Sequence, residues 1–309
     1  MSPPKILALV GPTASGKTLI SLILAQLLKG EVVSADSRQV YRYMDIGTAK
    51  PSKDDRSRIP HHCIDIRLPS DDFSAGEYGA LAQGAIREVL DRGRLPLLVG
   101  GSGLYVRAAV DGLFQGPQKD PEVRLQLEER LARRGIEDLM SELRRVDPAT
   151  AGKIDVTKPR RVVRALEVFL VTGRPLSAHH RLQHPIEEYR TVQVGLLWNR
   201  EELNGRIDQR VEHMMEQGLY EEVKALKAMG FDTACNALNT VGYKELFDVL
   251  NGEKDFRAVQ ALIKQNTRRY AKRQMTWFKA DGRIQWVEVS GSKQASELAQ
   301  EIVRIFRAS

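Results

Sequence analysis

Cysteine is scarce. Cys63 and Cys235 are the two in the chain and lie far apart in sequence. Neither a disulfide framework nor a zinc spacing can be built from them, so they read as buried, reduced thiols. His61-His62-Cys63 sets potential ligands side by side, but adjacent residues of one extended stretch rarely share an ion, and the triplet reads as structural. Long hydrophobic runs are missing as well. Ile6-Leu7-Ala8-Leu9-Val10 is too short for a signal peptide and far too short to span a bilayer, so a cytoplasmic protein with no membrane partner is expected. Repeats, low-complexity tracts and long linkers are absent too, which sets aside solenoids and disordered scaffolds.

What is present is ordinary in bulk. The 309 residues, 42% hydrophobic and 28% charged, suffice for one large domain or two smaller ones with a real core. The net charge of +7 hints at a polyanionic partner and, alone, says no more.

The pattern along the chain is more telling. Ile6–Val10 reads as a buried parallel strand, followed by a glycine turn, Gly11–Thr18, and a helix to about Leu28. Glu31–Ser34, His62–Ile66 and Leu95–Val99 read as further strands, with a polar loop from Tyr43 to Pro60 and a helix from Ser74 to Arg92. Strand and helix in alternation predict an α/β fold, a parallel sheet flanked by helices. Near Gly116 the pattern changes. Asp120-Pro121-Glu122 starts a helix, and from there to about His184 the chain is helical in pattern and rich in arginine. We therefore expect an inserted all-helical domain at residues 118–185 within a core of residues 1–117 and 186–309. Thr191–Trp198 reads as a return strand. Leu203, Ile207, Val211, Met215 and Leu219 form the stripe of one long helix, with Ile284–Val289 a last strand and Gln294–Phe306 a last helix.

Gly11-Pro12-Thr13-Ala14-Ser15-Gly16-Lys17-Thr18 fits G-x-x-x-x-G-K-[ST] between a predicted strand and helix, the context that makes it a nucleotide- or ATP-binding P-loop. The glycines let backbone N–H groups curl around phosphates, the helix N-terminus and Lys17 add positive potential, and the Thr18 hydroxyl can hold magnesium. Enzymes that transfer phosphoryl groups from such a cradle usually carry a carboxylate at a nearby strand end. The strand Leu95–Val99 ends instead in Gly100-Gly101-Ser102, and the well-placed carboxylate is Asp36. A small-molecule kinase therefore stays open, but weakened.

The segments Gly11–Thr18, Ser34–Tyr41, Met44-Asp45-Ile46-Gly47-Thr48-Ala49-Lys50-Pro51, Val99–Tyr105, Arg160–Val168, Val241-Gly242-Tyr243 and Ala271–Phe278 resemble, in this order, those of the tRNA dimethylallyltransferases (IPP transferases). The resemblance spans nearly the whole chain. It implies a P-loop-kinase-like core with an inserted helical domain, magnesium, and two substrates, dimethylallyl diphosphate and the anticodon stem-loop of tRNA. It implies that the P-loop grips the diphosphate of a prenyl donor, and that a dimethylallyl group goes to N6 of the adenosine just 3′ of the anticodon, position 37. A monomer is expected.

For the site, the resemblance implies Asp36 as the base that takes the amine proton, with an N-cap or a second-shell magnesium role as the alternative. Lys17 and Arg210 would stabilise the departing diphosphate. Arg206 lies one helical turn before Arg210 on the same face, and a solvated charge is the other reading of both. Ser102 stands where the family usually has threonine and keeps the hydroxyl. RNA contacts are implied at Asp36, Ser37, Arg38, Gln39 and Ser102, at Arg124, Arg160, Arg161 and Arg164 of the insertion, and along Asn239, Thr240, Val241, Gly242, Tyr243 and Lys244. There an Arg-Cys pair common in the family is replaced by Asn239-Thr240, and Lys244 replaces a frequent arginine. Arg268, Arg269, Lys272 and Arg273, with Tyr270 and Trp277 nearby, form another candidate patch. Eukaryotic relatives that carry a zinc finger have cysteines beyond this point; here none follows Cys235. The rival prenyl transfer, to free adenine nucleotides by an adenylate isopentenyltransferase, has no need of so much arginine.

Overall fold

The computed structural model describes residues 3–113, 120–181 and 186–309. By its internal contacts the chain divides into two compact units, residues 1–111 with 186–309, and residues 112–185. The predicted change of pattern near Gly116, the 117/118 boundary and the helix end at His184 lie outside the described residues.

The larger unit is a parallel sheet clothed by helices. Its strands are β1 (Lys5–Val10), β2 (Gly30–Ser34), β3 (His61–His62), β4 (Leu95–Gly100), β5 (Arg190–Trp198) and β6 (Gln285–Val289). They lie in the order β3-β2-β4-β1-β5-β6. β1 is central, with Leu7 opposite Leu97 on one side and Val192 on the other. Side chains of a central parallel strand meet helices on both faces, which is why Ile6–Val10 is apolar without alternation and fully buried. α1 (Lys17–Leu28) packs Ile20 and Leu24 onto one face together with Leu298 and Ile302 of α14 (Ala295–Ala308). α2 (Lys53–Arg58), α3 (Ala75–Asp91), α4 (Gly103–Val110), α10 (Arg200–Glu216), α11 (Leu219–Ala228), α12 (Tyr243–Leu250) and α13 (Phe256–Lys279) complete this unit.

Three local expectations change. The strand predicted over His62–Ile66 stops at His62, because Cys63 and Asp65 take positive φ of 63° and 57°. Asp65 turns its carboxylate to Lys50 at 2.5 Å and Arg56 at 2.6 Å instead. The polar loop of residues 43–60 contains α2, started by a capping box between Ser52 and Asp55. The long stripe from Leu203 to Leu219 is cut at Gly218, whose φ of 95° ends α10 and starts α11, although Leu219 remains buried.

The smaller unit holds α5 (Pro121–Arg134), α6 (Ile136–Val146), α7 (Pro148–Ala151), α8 (Pro159–Thr172) and α9 (Leu176–Arg181). Asp120 caps α5 by accepting from the N–H groups of Glu122 and Val123, with proline next in the chain. Leu127, Leu139, Leu143, Val162 and Leu166 form its own apolar core.

Candidate active site

The loop Gly11–Thr18 joins β1 to α1. Gly16 sits in the left-handed region at φ 89° and no side chain caps the helix, so the first-turn N–H groups stay available to an anion. The loop is braced from behind. The buried Gln274 amide of α13 accepts from the Thr13 N–H at 2.8 Å and donates to the Gly101 carbonyl at 2.8 Å. Trp198, at the end of β5, donates to the Ser15 carbonyl at 3.0 Å. Arg206 donates to the Ala14 carbonyl at 2.9 Å while its guanidinium lies 4.6 Å from the Trp198 ring. At the end of β4 a side chain on Gly100 would collide with the Ala35 carbonyl, so glycine is required for the strands to approach here.

Inside the loop the Lys17 ammonium donates to the carbonyls of Pro12 at 2.6 Å and Gly11 at 3.0 Å. Burial, then the neighbouring Arg210 charge, lower its pKa to about 7, with Asp36 opposing both. Arg210 points its guanidinium at the Thr13 hydroxyl, 3.4 Å away. Burial, then Arg206, lower its pKa in turn. The site is thus short of negative charge: three cations converge where one carboxylate, Asp36, answers them.

Asp36 follows β2, as the sequence predicts, and one carboxylate oxygen accepts from the Arg38 N–H at 2.8 Å. Thr13–Thr18 of the loop, Asp36, Ser37, Arg38, Gln39, Arg210 and the segment Asn239–Gly242 line one cavity of about 300 Å³, whereas Gly11 and Pro12 of the loop do not line it. Gly47, Thr48 and Ala49 form another part of its wall, fastened by Gln39, whose amide donates to the carbonyls of Thr48 and Ala49 at 3.2 Å. Arg38 also reaches the Asn236 carbonyl at 2.8 Å, joining the two sides of the chamber.

Other predicted site residues stand elsewhere. Ser102 does not line the cavity. Its hydroxyl accepts from the Ser37 N–H at 2.9 Å and donates to the Ser37 hydroxyl at 3.1 Å, so it backs Ser37. Tyr270, which does line the cavity, rests against Ser102, and burial followed by the charge of Asp36 pushes its pKa up to about 12. Tyr243 is a correction: it is 0% exposed and can present nothing to RNA. Its hydroxyl donates to Glu222 at 2.6 Å and its ring occupies the space that a side chain on Gly47 would need. Lys244 is exposed and outside the cavity. Arg268 of the second basic patch is paired with Asp208 at 2.5 Å, so its charge is compensated locally.

The sequence motif Asp45–Pro51 turns out to be a braced wall. Glu222 of α11 accepts from three successive N–H groups, those of Asp45, Ile46 and Gly47, at 2.9, 2.8 and 3.2 Å. Lys50, its side chain 2% exposed, pairs with Asp45 at 2.6 Å and with Asp65. Glu222, Trp198 and Gln274 were not assigned roles from sequence. Gln274 lies inside a recognised motif, whereas Glu222 carries no local signal at all.

In the smaller unit, Arg160 and Arg161 are exposed on the first turn of α8, which contains no acidic residue. Arg164 pairs at 2.9 Å with Glu167, which is itself 0% exposed, and Arg124 approaches the same carboxylate at 3.8 Å.

These features define a class: an α/β protein built on a strand–loop–helix of the G-x-x-x-x-G-K-[ST] kind, with a carboxylate-bearing chamber beside the loop. The model of the IPP transferase family matches residues 39–281, and the chain belongs to that family. It is 45% identical over 288 residues to the tRNA dimethylallyltransferase of Geobacter metallireducens, covering 93% of each chain. To tRNA dimethylallyltransferase 1 of Citrifermentans bemidjiense it is 46% identical over 290 residues, again with 93% of each covered. Among solved structures it resembles the tRNA isopentenylpyrophosphate transferase of Bacillus halodurans, with TM-score 0.71, 40% identity, and coverage of 98% and 97%. A eukaryotic dimethylallyltransferase acting on tRNA gives TM-score 0.80 at 27% identity, with 96% of this chain and 75% of that one covered.

Proposed function

We propose that this protein transfers a dimethylallyl group from dimethylallyl diphosphate to the exocyclic N6 amine of the adenosine 3′ to the tRNA anticodon, position 37, releasing diphosphate. The observation that carries this reading is that Asp36 shares one chamber with Lys17 and the loop. A carboxylate beside an anion cradle suits a reaction that removes a proton from one partner while a diphosphate leaves the other. The relatives' names supply tRNA as the acceptor and dimethylallyl as the group transferred; the anion cradle is what suggests diphosphate as its carrier.

The amine lone pair of adenine is delocalised, so proton removal must accompany attack. The N6–carbon bond forms as the carbon–oxygen bond to diphosphate breaks. Asp36 takes the amine proton, and the electron pair of the broken bond stays on the diphosphate. Lys17, Arg210 and the loop N–H groups hold that growing charge. Ser102 sets Ser37, and through it the turn that aims Asp36.

For magnesium, Thr18 lines the chamber and carries the one hydroxyl that the loop motif assigns to the ion. Among the described residues no group of three or more His, Cys, Asp or Glu is placed to hold a metal ion by itself. That donor set fits a cation that takes most of its oxygens from diphosphate and water. Bound there, it would offset charge on the leaving group.

The target base is stacked within an anticodon loop and must be flipped out to enter a chamber. α8 suits phosphate contact, because its uncapped N-terminus and the exposed Arg160 and Arg161 add potential of one sign, with Arg164, paired to Glu167, one turn further on. Arg124 and the segment Asn239–Val241 are further RNA contacts in this reading. No helix among the described residues is long and apolar enough to cross a membrane, and we place the protein in the cytoplasm as a monomer.

The test is mass analysis of tRNA nucleosides after incubation with labelled dimethylallyl diphosphate, with AMP and an anticodon stem-loop compared as acceptors. Label should appear on adenosine of the stem-loop. Label on AMP with none on RNA overturns the reading, as does gamma-phosphate transfer from ATP. Asp36→Ala should cut turnover about 10²- to 10⁴-fold and leave stem-loop binding within about twofold.

A further inference from the structure

We propose that a second cavity, next to the chamber, is a subsite for an RNA base adjacent to the target adenosine, with Trp277 as its stacking platform. This rests on the reading that the substrate is RNA. The cavity has a volume of about 720 Å³ and is lined by Gly103, Arg107, Lys272, Arg273 and Trp277 among others. Arg273 also lines the chamber, so the two share a wall. Gly103 directly follows Ser102, and Trp277 lies on the same helix as Tyr270 and Gln274, which face the chamber.

Trp277 is 41% exposed, unusual for an indole inside a folded core unit. Its orientation is not left to chance. The pyrrole edge presses on Gly103 so closely that any side chain at that glycine would collide with Cδ1 and Nε1. The ring is therefore set against backbone along one edge while the residue stays 41% exposed.

The charges around it sort by partner. The cavity's two acids, Asp111 and Asp281, are both taken by Arg283, at 2.5 and 2.7 Å. Among the described residues no carboxylate pairs with Arg107, Lys272 or Arg273; Arg273 instead leans over the Tyr270 ring at 5.8 Å. A rigid exposed aromatic surrounded by uncompensated cations is the arrangement that binds unstacked nucleotides, with the base on the ring and phosphate on the cations. When one nucleotide is flipped into the chamber, its neighbours are one phosphodiester link away, and the adjoining cavity is where one of them can go. The cations would repel a basic peptide, and an uncharged apolar one would leave them without a counter-charge.

The experiment measures Kd for an anticodon stem-loop and KM for dimethylallyl diphosphate with Trp277→Ala and Trp277→Phe. It repeats the RNA titration on stem-loops made abasic at the nucleotide 5′ or 3′ of the target. Trp277→Ala should weaken stem-loop binding roughly 5- to 150-fold, Trp277→Phe by less than about threefold, and KM for the prenyl donor should not move. On one of the two abasic RNAs the wild type and Trp277→Ala should bind alike. A penalty of equal size on both abasic RNAs, or an equal loss toward the prenyl donor, overturns the subsite and makes Trp277 a mere prop for Gly103. An enzyme that prenylates RNA while Trp277→Ala is silent sinks the subsite alone. An enzyme that binds no RNA sinks the underlying functional reading.

Discussion

Two loops of the larger unit use the same device for opposite ends. In Gly11–Thr18, backbone N–H groups gather at a helix start and face a cavity. In Asp45–Gly47 three successive N–H groups also gather, but Glu222 fills that nest with the protein's own carboxylate. The first nest has a cationic lysine folded onto its carbonyls and two arginines nearby; the second is neutralised in place. The difference teaches that a nest of amides signals an anion but not whose anion it is. What separates ligand site from scaffold is the charge left over after local pairing.

If that contrast holds, the two loops must fail in different ways. The largest effect should come from Lys17→Met, which we expect to lower kcat/KM about 10³-fold by removing a charge from the leaving-group site while leaving the melting temperature unchanged or higher. Steady-state kinetics with thermal unfolding checks this, and a melting temperature lowered in proportion to activity breaks the comparison. Next, Glu222→Ala should destabilise the fold by about 2–3 kcal/mol, because three backbone donors and a tyrosine hydroxyl lose a charged acceptor. Urea unfolding reads it, and full stability with selective loss of activity would place Glu222 among ligand-binding groups. Tyr243→Phe removes one hydrogen bond to that carboxylate and should cost about 1 kcal/mol in the same assay.

The smallest signal is a pH dependence. Lys17 titrates near 7 in the free protein, lowered from an ordinary lysine value chiefly by burial. A bound diphosphate would restore its preference for the charged form. Binding above pH 7 should therefore take up a fraction of a proton, and affinity should fall as pH rises through that region. Calorimetry in buffers of different ionisation enthalpy measures the uptake, and the component due to Lys17 is the part lost in Lys17→Met. For folding the sign is the reverse of a stabilising pair. The unfolded chain keeps this proton to higher pH than the native one, so this group's contribution makes the fold more stable as pH rises above about 7.

Much of this was legible in the chain. Ile6–Val10, Leu95–Val99 and the helix start at Ser74, whose hydroxyl accepts from the Glu77 N–H and so caps α3, announced their elements because apolar runs and capping residues act locally. The loop and Asp36 were legible because chemistry restricts those positions to few residue types. Tyr243 was misread as an RNA contact because its motif marks importance without saying whether a side chain faces solvent or Gly47. Glu222 was invisible, since an acid on a half-exposed helix face looks like any solvated one until the loop it closes, far away in sequence, is folded against it. The break at Gly218 was masked by a stripe of apolar residues that continues across it in register.

The place of β1 in the sheet has a consequence for synthesis. Its neighbours are β4 and β5, and the amide that ties its loop to the end of β4 belongs to Gln274. The ribosome thus makes the Gly11–Thr18 loop well before the parts that fix its shape. Until α13 has emerged, a nascent chain carries the loop's sequence without the Gln274 amide that braces it, and translation stalled between β4 and α13 would yield a polypeptide with the signature and an unbraced loop.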